Sequence, residues 1–137
     1  MDRIDRKKLI KRLICFILFI FIVNFVANKF YWYYTIWYFD MPMHFLGGFW
    51  IGLASLYFLF TESKALTFQF IIKILLCVLL VGIGWEVFEI LVNNVTIRDS
   101  FNYLDTFSDI LFDLSGGVFA ILYFFKRIML TEGNKVK

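Results

Sequence analysis

A chain of 137 residues that is 61% hydrophobic and 22% aromatic, with 18% charged residues, is too short for two ordinary domains. It is also too apolar for a soluble one, because a soluble fold of this size leaves roughly a third of its chain surface in water. The net charge of +3 is unevenly spread: Arg3, Arg6, Lys7, Lys8, Lys11 and Arg12 crowd the start, and Lys126, Arg127, Lys135 and Lys137 close the chain.

The first apolar run, about 9–27, follows that basic stretch as a signal peptide would. Its exit, Phe25-Val26-Ala27-Asn28, has no small-x-small cleavage pattern, and further apolar runs follow, so it reads as a retained spanning helix. A spanning helix needs about 20 mostly apolar residues. Three more segments qualify, about 41–60, 68–91 and 107–125, joined by loops at about 28–40, 61–67 and 92–106. The expectation is an all-α integral membrane four-helix bundle, a single four-span domain over residues 1–137. No internal repeat or low-complexity tract interrupts it, and the tail 131–137 is expected to be mobile.

Cytoplasmic loops attract Lys and Arg, which places the N-terminus inside and, after four crossings, the C-terminus inside too. With Lys64 and a snorkelling Lys73 counted inside, that side holds twelve basic and four acidic residues, a balance of +8. The outer side sets Lys29 and Arg98 against seven acids, a balance of −5, and the two together give the chain's +3. The expected location is the cytoplasmic (inner) membrane, multi-pass, with both termini cytoplasmic.

The first outer loop holds eight aromatic residues within Phe30–Phe39. Tyr and Trp rings favour the headgroup layer, so the loop reads as an interfacial anchor, or as a lip that positions a lipid headgroup. Cys15 and Cys77 both sit inside apolar runs and read as packing residues, not as a disulfide or metal pair.

Ionisable groups inside spanning segments are costly and point to function. Here they recur at helical spacing on one side of the membrane. Asp40 and His44 are four apart and share a face, which continues through Gly47, Gly48 and Ile51. Glu86 and Glu89 follow Gly82 and precede Asn93 on the third span; Asp105, Asp109 and Asp113 step by four on the last, ahead of Gly116, Gly117 and Ala120. Glu86 is expected roughly 9 Å below its helix exit, and Asp113 roughly 12 Å deeper than Asp105. All three stripes are expected to converge in one outer-half cavity. Gly48-x-x-x-Gly52 and Gly116-x-x-x-Ala120 permit close helix contact, and also leave room for a ligand or water.

Clustered carboxylates cannot all stay ionised in a low-dielectric site without something positive among them. A divalent metal cation is one solution, with Asp40, His44, Glu86, Glu89, Asp109 and Asp113 as ligands. Shared protons are another, suited to acid–base chemistry. A third is a purely structural plug, with neutral His44 capped by Asp40. Ser108 is a weak candidate nucleophile, no Gly-rich phosphate loop is present, and nothing points to nucleic acid.

At these residues the chain resembles the VanZ-like small bacterial membrane proteins and their uncharacterised relatives. The matching pieces are Asp40-x-x-x-His44, Trp85-Glu86-x-x-Glu89 and Asp109-x-x-x-Asp113-x-x-Gly116, in the same order over the last three spans. VanZ-like sequences usually carry Lys where this chain has Met41, Gln where it has Glu89 and Asn where it has Asp113. The doubled acids and Trp85-Glu86 look closer to the uncharacterised relatives. The resemblance implies a helical cell-envelope protein of bacterial type. The group is associated with glycopeptide resistance without a settled reaction, so no resistance role carries over.

The expected function is metal-assisted hydrolysis or phosphoryl transfer on an envelope lipid or lipid-linked substrate reached from the outer leaflet. His44 and Glu86 would form the catalytic core, with Asp109 and Asp113 as co-ligands or acid–base partners. One alternative is a cation or proton pathway, which would need a homo-oligomer and is opposed by apolar inner runs such as Ile71-Ile72 and Leu75-Leu76. Another is a non-catalytic membrane partner protein with an acidic pocket.

Overall fold

The computed structural model describes residues 6–60, 67–96 and 102–129. Arg3, Lys64, Arg98, the side chains of Asn93 and Arg127, and the 131–137 tail with Lys135 and Lys137 lie outside the described residues. The elements are α1 (Arg6–Lys29), a short α2 (Trp32–Thr35), α3 (Asp40–Leu59), α4 (Phe68–Thr96) and α5 (Tyr103–Tyr123), which widens into a π-type turn over Phe124–Met129. Four of these helices are long and apolar enough to cross a bilayer. The chain is therefore an all-α, multi-pass membrane protein.

Helix boundaries depart from the hydropathy runs where local chemistry extends a helix. α5 begins at Tyr103 because the Asn102 side chain accepts a hydrogen bond from Leu104 N, satisfying one of the helix's free amides. Asp105 in the first turn adds a favourable charge at the positive end of the helix dipole. α4 continues through Thr96, past the last long apolar residues. The aromatic loop contains its own helical turn, α2, entered through Tyr31 in the left-handed region at φ 57°.

The apolar core fills the half of the bundle that holds the start of α1 and the end of α3, around Leu53, Leu56, Phe60, Phe70, Ile74 and Phe124. α1 joins that core through Leu9 and Leu13. Three polar ties fasten the same first half of α1. Trp50 Nε1 donates to Leu13 O at 2.9 Å, Arg6 donates to Phe60 O at 3.0 Å, and Arg12 donates to the Tyr123 hydroxyl at 3.1 Å. Outward-facing side chains such as Leu18, Phe21, Phe25, Leu80 and Phe119 are exposed, as a lipid-facing surface requires. Cys15 and Cys77 are free thiols.

A candidate metal centre around His44

The site starts from a backbone contact. A Cβ on Gly48 would run into the backbone of Asp113, and one on Gly116 would run into the carbonyl of Phe45. At Gly52 an added Cβ would sit 2.7 Å from the Cβ of Ala120. α3 and α5 therefore touch nearly backbone to backbone, which small residues alone allow in a membrane. That contact carries Asp109 and Asp113 up to His44. Gly82 on α4 has a different job. A Cβ there would come 2.6 Å from Asp113 Oδ2, so this glycine makes room for a carboxylate.

The result is a histidine enclosed by acids from three helices. His44 Nδ1 lies 3.4 Å from Asp113 Oδ2. On the opposite edge of the ring, Nε2 lies 3.7 Å from Asp40 Oδ1, 3.9 Å from Glu86 Oε1 and 3.9 Å from Asp109 Oδ2. His44, Glu86, Asp109 and Asp113 are buried, at 6%, 5%, 2% and 4% exposure. Asp40 is the open side, with 34% of its side chain exposed.

Two sets of side chains offer ligand atoms within 4.8 Å of one another: Asp40, His44 and Asp109, and His44, Glu86 and Glu89. These groups can hold a metal ion. Glu89 is half-buried beside them, while Asp105, the outermost acid of the α5 stripe, is exposed. Asp113 stands apart from both sets, at the other ring nitrogen. The chemistry of the donors is oxygen-rich with one imidazole, which suits hard to borderline divalent cations.

Glu86 Oε1 is buried and finds no hydrogen-bond partner among the described residues. Native proteins rarely leave a buried polar atom so, unless an ion or water belongs there. Thr106 lies within reach of the same carboxylate. Ser108 supports Asp109: its hydroxyl donates to Asp105 O at 2.9 Å and to Asp109 Oδ1 at 3.4 Å. That placement makes it a brace for a site carboxylate.

Beneath the acids the bundle closes. Leu53, Leu56, Ile74, Val78, Ala120 and Phe124 are all buried below the level of Asp113. The site is therefore closed on its apolar side, and its more exposed acids, Asp40, Glu89 and Asp105, mark the open end.

Two polar residues near that mouth were not singled out from the sequence. Tyr33 donates its hydroxyl to Asn24 Oδ1 at 2.7 Å, and Asn28 Nδ2 donates to Asn24 O at 2.9 Å. Burial, then the negative charges of Asp40 and Glu89, push the Tyr33 phenol up to about 12. A signal did exist: Asn24 interrupts an otherwise apolar run between Leu13 and Ala27.

Residues 3–129 match the family described as "Predicted membrane protein (DUF2238)". The chain belongs to that family. No curated protein and no solved structure matches it. Membership agrees with the four spanning helices, and it extends through α1, which the short motifs of the last three spans did not reach.

Proposed function

We propose that this DUF2238 protein holds a divalent cation in the outer half of the membrane and uses it on a lipid or lipid-linked substrate. His44 Nε2, Asp40, Glu86, Glu89 and Asp109 supply the ligand set. Asp113 fixes the ring through Nδ1, the arrangement by which a carboxylate orients a metal-binding imidazole. The observation that carries this reading is the unpartnered Glu86 Oε1, 3.9 Å from His44 Nε2 in a buried site.

The distances favour an ion over a hydrogen-bonded plug. Separations of 3.7 to 3.9 Å at Nε2 are too long for hydrogen bonds, which close to about 2.7–3.2 Å. They suit donors that share a cation, since ligands each about 2.0–2.2 Å from an ion sit up to roughly 4 Å apart. A bound divalent cation would polarise a phosphoryl or carbonyl oxygen and activate water. His44 and Glu86 remain the core of the proposed reaction site, with Asp109 as co-ligand and Asp113 as the residue that sets ring tautomer and angle. The three VanZ-like motifs fall on these same side chains, which is what that resemblance contributes.

The charge balance supports an inner-membrane protein with both termini cytoplasmic and the pocket facing outward. The closed apolar floor argues against a transmembrane ion pathway through one protomer. The test is the metal content of detergent-purified protein, with His44→Ala and Glu86→Gln alongside. Near-stoichiometric divalent metal in the wild type, lost in both variants, is the expected result. A wild type that neither retains nor takes up any divalent cation would sink the proposal.

A further inference from the structure

α1 meets the apolar core through its inner half. Its core contacts and the ties from Arg6, Arg12 and Leu13 all lie in the inner half, whereas Phe21, Ile22 and Phe25 are exposed. Two features break this pattern. Ala27 is fully buried, and Asn24, one turn earlier, accepts the Tyr33 hydroxyl at 2.7 Å. A polar side chain at this depth is expensive unless it has a purpose, and it rarely faces lipid.

Tyr33 is as distinctive. Its neighbours Tyr34 and Trp37 are largely exposed, as membrane-surface aromatics are, but Tyr33 is half-buried. Its ring stands perpendicular to that of Phe39 with centroids 5.0 Å apart, and Phe39 is the residue from which α3 starts at Asp40. Phe39 immediately precedes Asp40, so the Tyr33 ring packs one residue away from the open edge of the cage. One hydrogen bond thus links α1, which contributes nothing to the cage itself, to the open edge of the cage.

We infer that Tyr33, fastened by Asn24, is a positioning residue of the His44 site: it covers the Asp40–Glu89 edge and sets access to the buried carboxylates from the headgroup layer. Releasing the Asn24 bond frees Tyr33 and the loop to swing outward, and exposes Glu86 to water-borne reagents. The inference deepens the proposed function but depends on it only for what the pocket binds.

The experiment is carbodiimide labelling of Glu86 with a small amine, in detergent and excess chelator, read by mass spectrometry. The proteins are wild type, Tyr33→Phe, Asn24→Leu and the double variant. Tyr33→Phe keeps the ring against Phe39, so it remains informative even if Asn24→Leu folds poorly. Labelling should rise about three- to tenfold in each single variant, the factor one interhelical hydrogen bond commands in a membrane. The double variant should rise no further, because both changes break the same bond. Phe25→Leu, on the lipid face, should leave the rate unchanged. Unchanged labelling in folded Tyr33→Phe overturns the inference, whatever the metal content. A rise in labelling with a wild type that binds no cation leaves this inference standing and removes the metal reading.

Discussion

Asp113 and His44 meet at Nδ1, 3.4 Å from Oδ2, while the other ring nitrogen is turned to Asp40, Glu86 and Asp109. One imidazole therefore divides four carboxylates into two roles. Three face Nε2, where the proposed function places the ion, and the fourth faces Nδ1 alone.

That division predicts unequal consequences on α5. Asp113→Asn retains shape and a hydrogen-bond acceptor but removes the charge facing Nδ1. Cation affinity should fall about 10- to 100-fold, the usual effect of losing an outer-sphere partner of a metal-bound histidine. Asp109→Asn, which changes a proposed ligand, should abolish retention of the ion through gel filtration. Competition titration against a fluorescent chelator would show the order, and equal losses would contradict the two roles.

Glu86→Gln separates the buried charge from the buried shape. With chelator present, the variant should melt at or above the wild-type temperature, since a buried charge with one unpartnered oxygen has been removed. Adding cation at 100 times its dissociation constant should stabilise the wild type by about 2.7 kcal/mol. The variant should gain almost nothing. Thermal melts with and without the ion measure both effects.

Two glycine substitutions test the backbone contact that assembles the site. Gly48→Ala drives a methyl into the Asp113 backbone and should cost about 1–3 kcal/mol, with loss of cation binding. Gly84→Ala meets nothing within 4 Å and should be neutral or stabilising by up to about 1 kcal/mol. Denaturant-induced unfolding in mixed micelles compares the pair.

The orientation has its own test. A fluorescent reporter that matures only in the cytoplasm, fused to the C-terminus, should be bright, the outcome expected from a charge balance of +8 against −5. A dark fusion, with a reporter active only outside the membrane giving signal in its place, would turn the pocket to face the cell interior.

Four spans, their order and the sharing of faces were legible without coordinates because each is a local property. Apolar runs about 20 residues long have few alternatives to crossing a bilayer. A spacing of four puts Asp40 beside His44, and Asp109 above Asp113, in any α-helix. Helix starts were less legible, since the Asn102 cap lies outside the apolar run it serves.

Which acid meets which nitrogen is not local. Glu86 and Glu89 are three residues apart on one helix, yet the rotation of α4 buries the first and leaves the second half-exposed. Asp105, Asp109 and Asp113 form one regular stripe, but the crossing of α3 over α5 at Gly48 and Gly116 leaves Asp105 exposed, brings Asp109 to Nε2 and puts Asp113 at Nδ1. Tyr33 and Asn24 meet only because the chain turns at Tyr31 and lays the following loop back against the end of α1. The sequence determined the faces, since helical periodicity places side chains within a helix; only tertiary structure decided their encounters, since rotation and separation between helices depend on packing across the bundle.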